Sequence, residues 1–280
     1  MKRPQIIVSI IGLFLVGALY FYAPRFKKSE SAENKSSVDN QLVTNKSVIE
    51  SAKTSLSASQ KITLLSIENQ LDKSKSTEDS IHFTRKLIQF WADSAQKIAP
   101  YLYYTYLDAL LENTEKSLTF AAQQLITNVI NPEAPLTLQK WMAGNARVLL
   151  EKALIINPKN DSAQINLGAC YLFGNISDNP MQGIMKIKSV LDKDSLNVYG
   201  QYMLALGGKK SGQYDKAIDR FTKVIQLAPN HVEAMVHLAE CYELNNQKNK
   251  AIEWYTHIRD IIDNQDAQKA LNKKIQELKK

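Results

Sequence analysis

Residues 211–230 read SGQYDKAIDRFTKVIQLAPN, and this stretch decides how the chain folds. Tyr214, Ala217 and Phe221 recur at helical spacing. Pro229 closes the run because it has no backbone N–H to donate. Working outward, the stretch becomes the second half of a repeating unit. With Val198 as position 1, Leu204 falls at position 7, Gly212 at 15, Tyr214 at 17, Ala217 at 20, Phe221 at 24 and Pro229 at 32. Restarting at Val232 puts Leu238 at 7, Tyr242 at 11, Ala251 at 20 and Tyr255 at 24. A copy starting at Asp161 has Leu167 at 7, Gly168 at 8 and Tyr171 at 11. That copy is three residues longer, and the surplus fits the loop from Asn175 to Pro180. Upstream, Ala146, Leu150, Ala153 and Pro158 match positions 20, 24, 27 and 32 of a preceding second helix. Small residues at 8 and 20 let two helices approach, and large ones at 7, 11 and 24 fill the space to their neighbours. One such unit cannot bury its apolar face alone, so units must stack.

The pattern is similar to that of the tetratricopeptide repeat family, which has Leu-Gly-x-x-Tyr in a first helix, then Ala-x-x-x-Phe and a closing Pro. The segments that carry it are INLGACY (165–171), residues 211–230, and HLAECY with KAIEWY within 237–255. Gly183 stands where the family has its second-helix alanine, and no unit has the tryptophan of position 4. The resemblance implies an all-α, right-handed superhelical solenoid of antiparallel helix pairs. Units lie near 161–197, 198–231 and 232–264 within a repeat region at 145–264. Residues 59–144 are a degenerate helical-repeat region, and residues 265–280 form a C-terminal capping helix. In that helix Ala267, Ala270, Leu271, Ile275 and Leu278 face inward.

The rest of the body is helical by pattern and carries no run of period two. Ile62, Leu65, Ile67 and Leu71 set one helix face, and Ile81, Leu87, Ile88 and Trp91 another. Pro100 opens a further helix, and Asn131-Pro132-Glu133-Ala134-Pro135 is a break. A hydrophobic content of 44% over 280 residues excludes a wholly disordered chain.

The net charge of +7 raises an anionic partner, until it is sorted by position. Residues 1–60 hold eight Lys/Arg against four Asp/Glu, and the other 220 residues are near neutral, with both signs mixed along the chain. Nucleic acid is therefore not expected as a partner. Lys2 and Arg3 precede 21 uncharged positions from Pro4 to Pro24, and Arg25, Lys27 and Lys28 follow. As a helix that span reaches roughly 30 Å, the thickness of a bilayer core. A cleaved signal is the rival reading, but Leu19-Tyr20-Phe21-Tyr22 offers no small-x-small site. Residues 1–28 are thus expected to be an uncleaved membrane anchor with basic flanks, and residues 29–58 a flexible polar tether. The expected location is a single-pass membrane protein with its body on the extracytoplasmic (periplasmic) side, a cytoplasmic body being the alternative.

No nucleophile, phosphate-loop or zinc-protease motif occurs, so no enzyme and no cofactor are expected. His237, Glu240 and Cys241 share a helical face but lack a further ligand, and no metal is expected. Cys170 and Cys241 both fall at position 10, on the packed side, and are expected as buried reduced thiols. The resemblance further implies a ligand groove at first-helix positions 2, 5, 9, 12 and 13. These are Ser162, Ile165, Ala169, Leu172 and Phe173; Tyr199, Tyr202, Leu206, Lys209 and Lys210; and Glu233, Val236, Glu240, Glu243 and Leu244. A dicarboxylate clamp would need Lys and Asn at positions 5 and 9, which Ile165/Ala169 and Tyr202/Leu206 do not supply. The implied function is a non-catalytic, membrane-tethered scaffold that binds a protein or peptide. The alternative is a self-associating component of a cell-envelope assembly, of the secretion, envelope-biogenesis or cytochrome-maturation type.

Overall fold

The computed structural model describes residues 43–177 and 179–280. Among the described residues there are thirteen α-helices: α1 (Asn45–Lys53), α2 (Ala58–Asp72), α3 (Thr77–Gln89), α4 (Ile98–Glu112), α5 (Glu115–Val129), α6 (Leu136–Ile156), α7 (Asp161–Phe173), α8 (Met181–Leu191), α9 (Val198–Lys210), α10 (Tyr214–Leu227), α11 (Val232–Leu244), α12 (Lys248–Ile261) and α13 (Gln265–Leu278). A five-residue π-helical turn, Phe90–Ser94, extends α3. Side-chain caps start many of them. Thr44, Ser57, Ser76, Thr114, Asn160, Asn197 and Asn264 each accept a hydrogen bond from a first-turn N–H that would otherwise be unpaired.

Successive helices pair, α3 on α4, α5 on α6, α7 on α8, α9 on α10 and α11 on α12, and each pair packs on the next. The first helices α5, α7, α9 and α11 also touch one another in series. Contacts otherwise stay between near neighbours in the chain, as in a solenoid. The turn inside each C-terminal pair has one recurrent device. Position 15 is Asn175, Gly212 and Asn246 in the three units, and all three residues have positive φ (52°, 72° and 58°). Only glycine and, more rarely, asparagine adopt this conformation at low cost.

The core runs through the stack. A central cluster contains Leu125, Leu149, Ile165, Leu204 and Phe221. An N-terminal cluster gathers around Leu64, Leu87, Trp91 and Tyr104, and a C-terminal one around Met235, Tyr255, Ile258 and Ile275. Within the repeat signature, Leu167, Gly168, Leu204, Ala217, Phe221, Leu238, Ala251 and Tyr255 are buried, while Tyr171 and Tyr242 are half-buried. Pro229 is exposed, two residues beyond the end of α10. Gly168 and Gly183 meet across the α7–α8 pair. A Cβ on Gly183 would lie 2.3 Å from the Gly168 carbonyl oxygen, and one on Gly168 would lie 2.7 Å from the Gly183 oxygen. Glycine at 183 in place of the family's alanine thus permits a closer helix approach.

Two sequence expectations require correction. The polar tether does not extend to residue 58, because residues 45–53 form α1, which packs on α4. Three apolar side chains in that polar stretch, Val48, Ile49 and Leu56, are buried, and Asn45 accepts a 2.8 Å hydrogen bond from Trp141 Nε1 of α6. In α2 the inward residue is Leu64, while Ile62 and Leu65 are exposed. The anchor at residues 4–24 lies outside the described residues. Among the described residues, no helix is long and apolar enough to cross a membrane.

Candidate functional site

The groove positions implied by the repeat divide into two groups. Ile165, Ala169, Phe173 and Leu206 are buried between neighbouring helices and belong to the core, so the structure removes them from the accessible surface. Their cause is the tight stacking of α5, α7 and α9, which closes over these positions. Glu243 accepts hydrogen bonds from Tyr255 (3.1 Å) and Lys274 (2.7 Å), which ties α11 to α12 and α13. Leu172, Tyr199, Tyr202, Lys209, Lys210, Glu233, Val236 and Glu240 remain at least partly accessible. All but Leu172 lie on α9 and α11.

Tyr202 is the centre of this group. Its ring sits 4.8 Å from the His231 ring, 6.2 Å from His237 and edge-on to buried Phe221 at 6.0 Å. His231 is held by its position as the N-cap of α11, where Nδ1 accepts from the Ala234 N–H at 3.2 Å. Burial, with the Glu233 and Glu240 carboxylates close by, pushes the Tyr202 phenol well above its ordinary range. It stays a neutral donor. Tyr199 is fixed one turn earlier by a 2.5 Å hydrogen bond from its hydroxyl to Asn166 Oδ1 on α7. Asn166 is fully buried, and its Nδ2 has no partner among the described residues. Burial likewise raises the Tyr199 phenol.

A charged knot lies beside the aromatic cluster. The Lys209 ammonium on α9 donates to Glu240 on α11, and His237 Nδ1 lies 2.8 Å from the same carboxylate and 3.1 Å from Lys209 Nζ. Burial alone would raise the Glu240 carboxyl, but hydrogen bonds and charge from His237 and Lys209 outweigh it and hold it at about 2. Lys210 Nζ donates to the Phe173 carbonyl at 3.1 Å and lies 5.5 Å from the Phe173 ring centroid. Burial pushes its ammonium down. The surface is therefore an aromatic patch with a cation and carboxylates at its margin, suited to holding an uncharged or mixed-charge chain segment. Among the described side chains of this patch no nucleophile is paired with a base.

Sequence reasoning missed His237 as part of this surface and Asn166 as the buried group beneath it. Both occupy position 6 of their units, four residues after position 2 and three before position 9, and so share the same helix stripe. That spacing was the available signal. His231 belongs to no sequence motif, and its role becomes visible only once α11 is seen to start there. His237 and Glu240 bond to each other, while Cys241 faces the core, free and buried like Cys170. Among the described residues no three His, Cys, Asp or Glu side chains gather as a metal site.

Stacked antiparallel helix pairs whose first helices share one face define the class, an α solenoid. A family model covers part of the C-terminal half: residues 210–275 match the one described as Tetratricopeptide repeat. No curated protein sequence matches it. Among solved structures, a MamA protein aligns at 14% identity over 65% of this chain and 92% of its own, with a TM-score of 0.41. MamA 41-end from Desulfovibrio magneticus RS-1 aligns at 18% over 66% and 97%, with a TM-score of 0.40. Yeast Tom70 aligns at 12% over 84% and 59%, with a TM-score of 0.33.

Proposed function

We propose that this chain is a membrane-tethered, non-catalytic scaffold that captures a protein segment along the α9–α11 face of its solenoid. One observation carries the reading: Tyr202 is held by two histidines and Phe221 yet keeps an accessible edge, beside a carboxylate–ammonium pair that bridges α9 and α11. Aromatic side chains fixed in place before binding lose little entropy on contact and dominate interface energies. Mixed charge at the margin favours a segment with both donors and acceptors. The tether reading rests on the apolar run at 4–24. An extracytoplasmic body is the orientation proposed with it.

Replacing Tyr202 by Ala, with Tyr199 kept because it holds buried Asn166, should weaken capture of the partner at least about tenfold, as for a central aromatic contact. Circular dichroism should remain helical. Undiminished capture by the folded variant counts against this face. A second reading, self-association, draws on α2, which exposes Ile62 and Leu65 one turn apart near the N-terminal end of the described solenoid. A sedimentation series showing a monomer at every concentration disposes of it.

A further inference from the structure

The described chain begins at Val43, at the rim of a cavity of about 590 Å³ between α1, the start of α4 and the start of α6. Two large apolar side chains beside this rim face solvent: Ile98, 45% exposed, and Leu136, 69% exposed. Ile98 itself lines the cavity, as do Val43 and Leu138, two residues on from Leu136. Basic groups accompany them. Lys97 adjoins Ile98, Lys140 stands one turn along α6 from Leu136, and Lys46 is exposed on the first turn of α1. None of the three lysines has a carboxylate partner among the described residues, whereas nearby Lys53 is paired with Glu50 and Glu68. Glu50, Asp93 and Glu133 are the exposed acids closest in sequence, and Glu50 is engaged by Lys53. Exposed apolar side chains with unpaired lysines on the same segments suit the boundary of an anionic bilayer, where apolar groups enter the headgroup region and lysines face lipid phosphates.

We propose that this corner of the solenoid rests on the anionic lipid surface into which the chain's own residues 4–24 insert. The inference rests on the anchor reading and adds an orientation to it. Eighteen residues separate Pro24 from Val43, and fully extended they reach at most about 65 Å. A body confined so near a surface meets it at an effective concentration on the order of millimolar. Weak contacts then suffice, because each lysine near an anionic surface multiplies binding roughly fivefold. The solenoid is thereby held with its N-terminal end down, and the α9–α11 face, several helix pairs away, stands off the membrane and open to a partner.

The test uses the full chain reconstituted in phosphatidylcholine vesicles with or without phosphatidylglycerol, read by flotation and by hydrogen exchange. The first amides of α4 and α6 lack intrahelical acceptors and report directly on surface cover. Segments 96–100 and 134–140 should exchange at least about threefold more slowly on the anionic vesicles, the effect of losing part of one lysine's contribution. Ile98→Ser with Leu136→Ser, and separately Lys97→Glu with Lys140→Glu, should restore fast exchange while flotation persists. Both pairs lie on the surface, and circular dichroism checks that each variant is folded. Equal exchange on the two lipids, with the chain still floating, overturns the proposal and leaves the anchor standing. Failure to float overturns both. Protection that grows with protein concentration in detergent, without vesicles, assigns the corner to a second copy of the chain and overturns the proposal.

Discussion

Three glycines separate the forces that set single residues here. Gly144 lies inside α6 with open space around the missing Cβ, so Gly144→Ala should stabilise by about 0.5–1 kcal/mol through reduced chain entropy. Gly212 also has space, but its φ of 72° makes Gly212→Ala cost about 1–2 kcal/mol. Gly183 is blocked by the Gly168 carbonyl, and Gly183→Ala should cost about 1–3 kcal/mol through displacement of α8. Chemical denaturation of the three variants checks both the signs and the order. Glu240 supplies a residue-scale prediction in pH. Its folded carboxyl titrates at about 2 against the usual 4.5, so it binds a proton less readily folded than unfolded. Its contribution is complete above about pH 4.5 and disappears as pH falls toward 2. Glu240→Gln should therefore be destabilised at neutral pH, with the gap to the parent closing over that window in pH-dependent melting. The turn glycine at 212 was legible in the sequence because the repeat register places it at position 15. The Gly168–Gly183 contact was not, since a departure from the family pattern shows only that something differs and not how closely two backbones approach.

At the scale of elements, α1 shows where composition misleads. Its stretch is dominated by Ser, Lys, Glu and Asn, and a window average hides Val48, Ile49 and Leu56, which alone are enough to seat one short helix. Thr44 and Ser57 cap α1 and α2 and are signals that sequence reading could have used. What sequence could not supply is the partner, because Trp141 lies 96 residues away from Asn45. Trp141→Phe keeps most of the ring but removes the N–H that holds Asn45, at a cost of about 0.5–1.5 kcal/mol. Hydrogen exchange across 45–53 should accelerate about three- to tenfold, while α7–α12 keep their protection. Unchanged exchange in α1 would show that the apolar contacts and the Asn145 amide, 3.3 Å from Asn45 Oδ1, suffice to hold it. The α2 helix illustrates the opposite difficulty. Both faces of it carry aliphatic residues, so spacing alone could not choose Leu64 over Ile62 and Leu65, and only the position of α3 decides.

For the molecule as a whole, the helix pairs and their phase were readable over residues 161–264, because each unit repeats the same packing problem and solves it with the same residue types. The accessible surface was readable only in part. A repeat register names the stripe that faces the groove but not how far stacking closes it, and Ile165, Ala169, Phe173 and Leu206 lie beneath that closure. The charge is uneven along the sequence, with the basic excess in residues 1–60 and the remaining 220 residues near neutral. Recognition is the role proposed for the α9–α11 face. The most direct test of that claim places a photo-cross-linking amino acid at Glu233 on this face, or at exposed Ile155 on α6, in the full chain expressed in cells. The account predicts a discrete cross-link to a protein partner from position 233 that is lost with Tyr202→Ala and absent from position 155. Equal cross-linking from both positions, or from 155 alone, would contradict it.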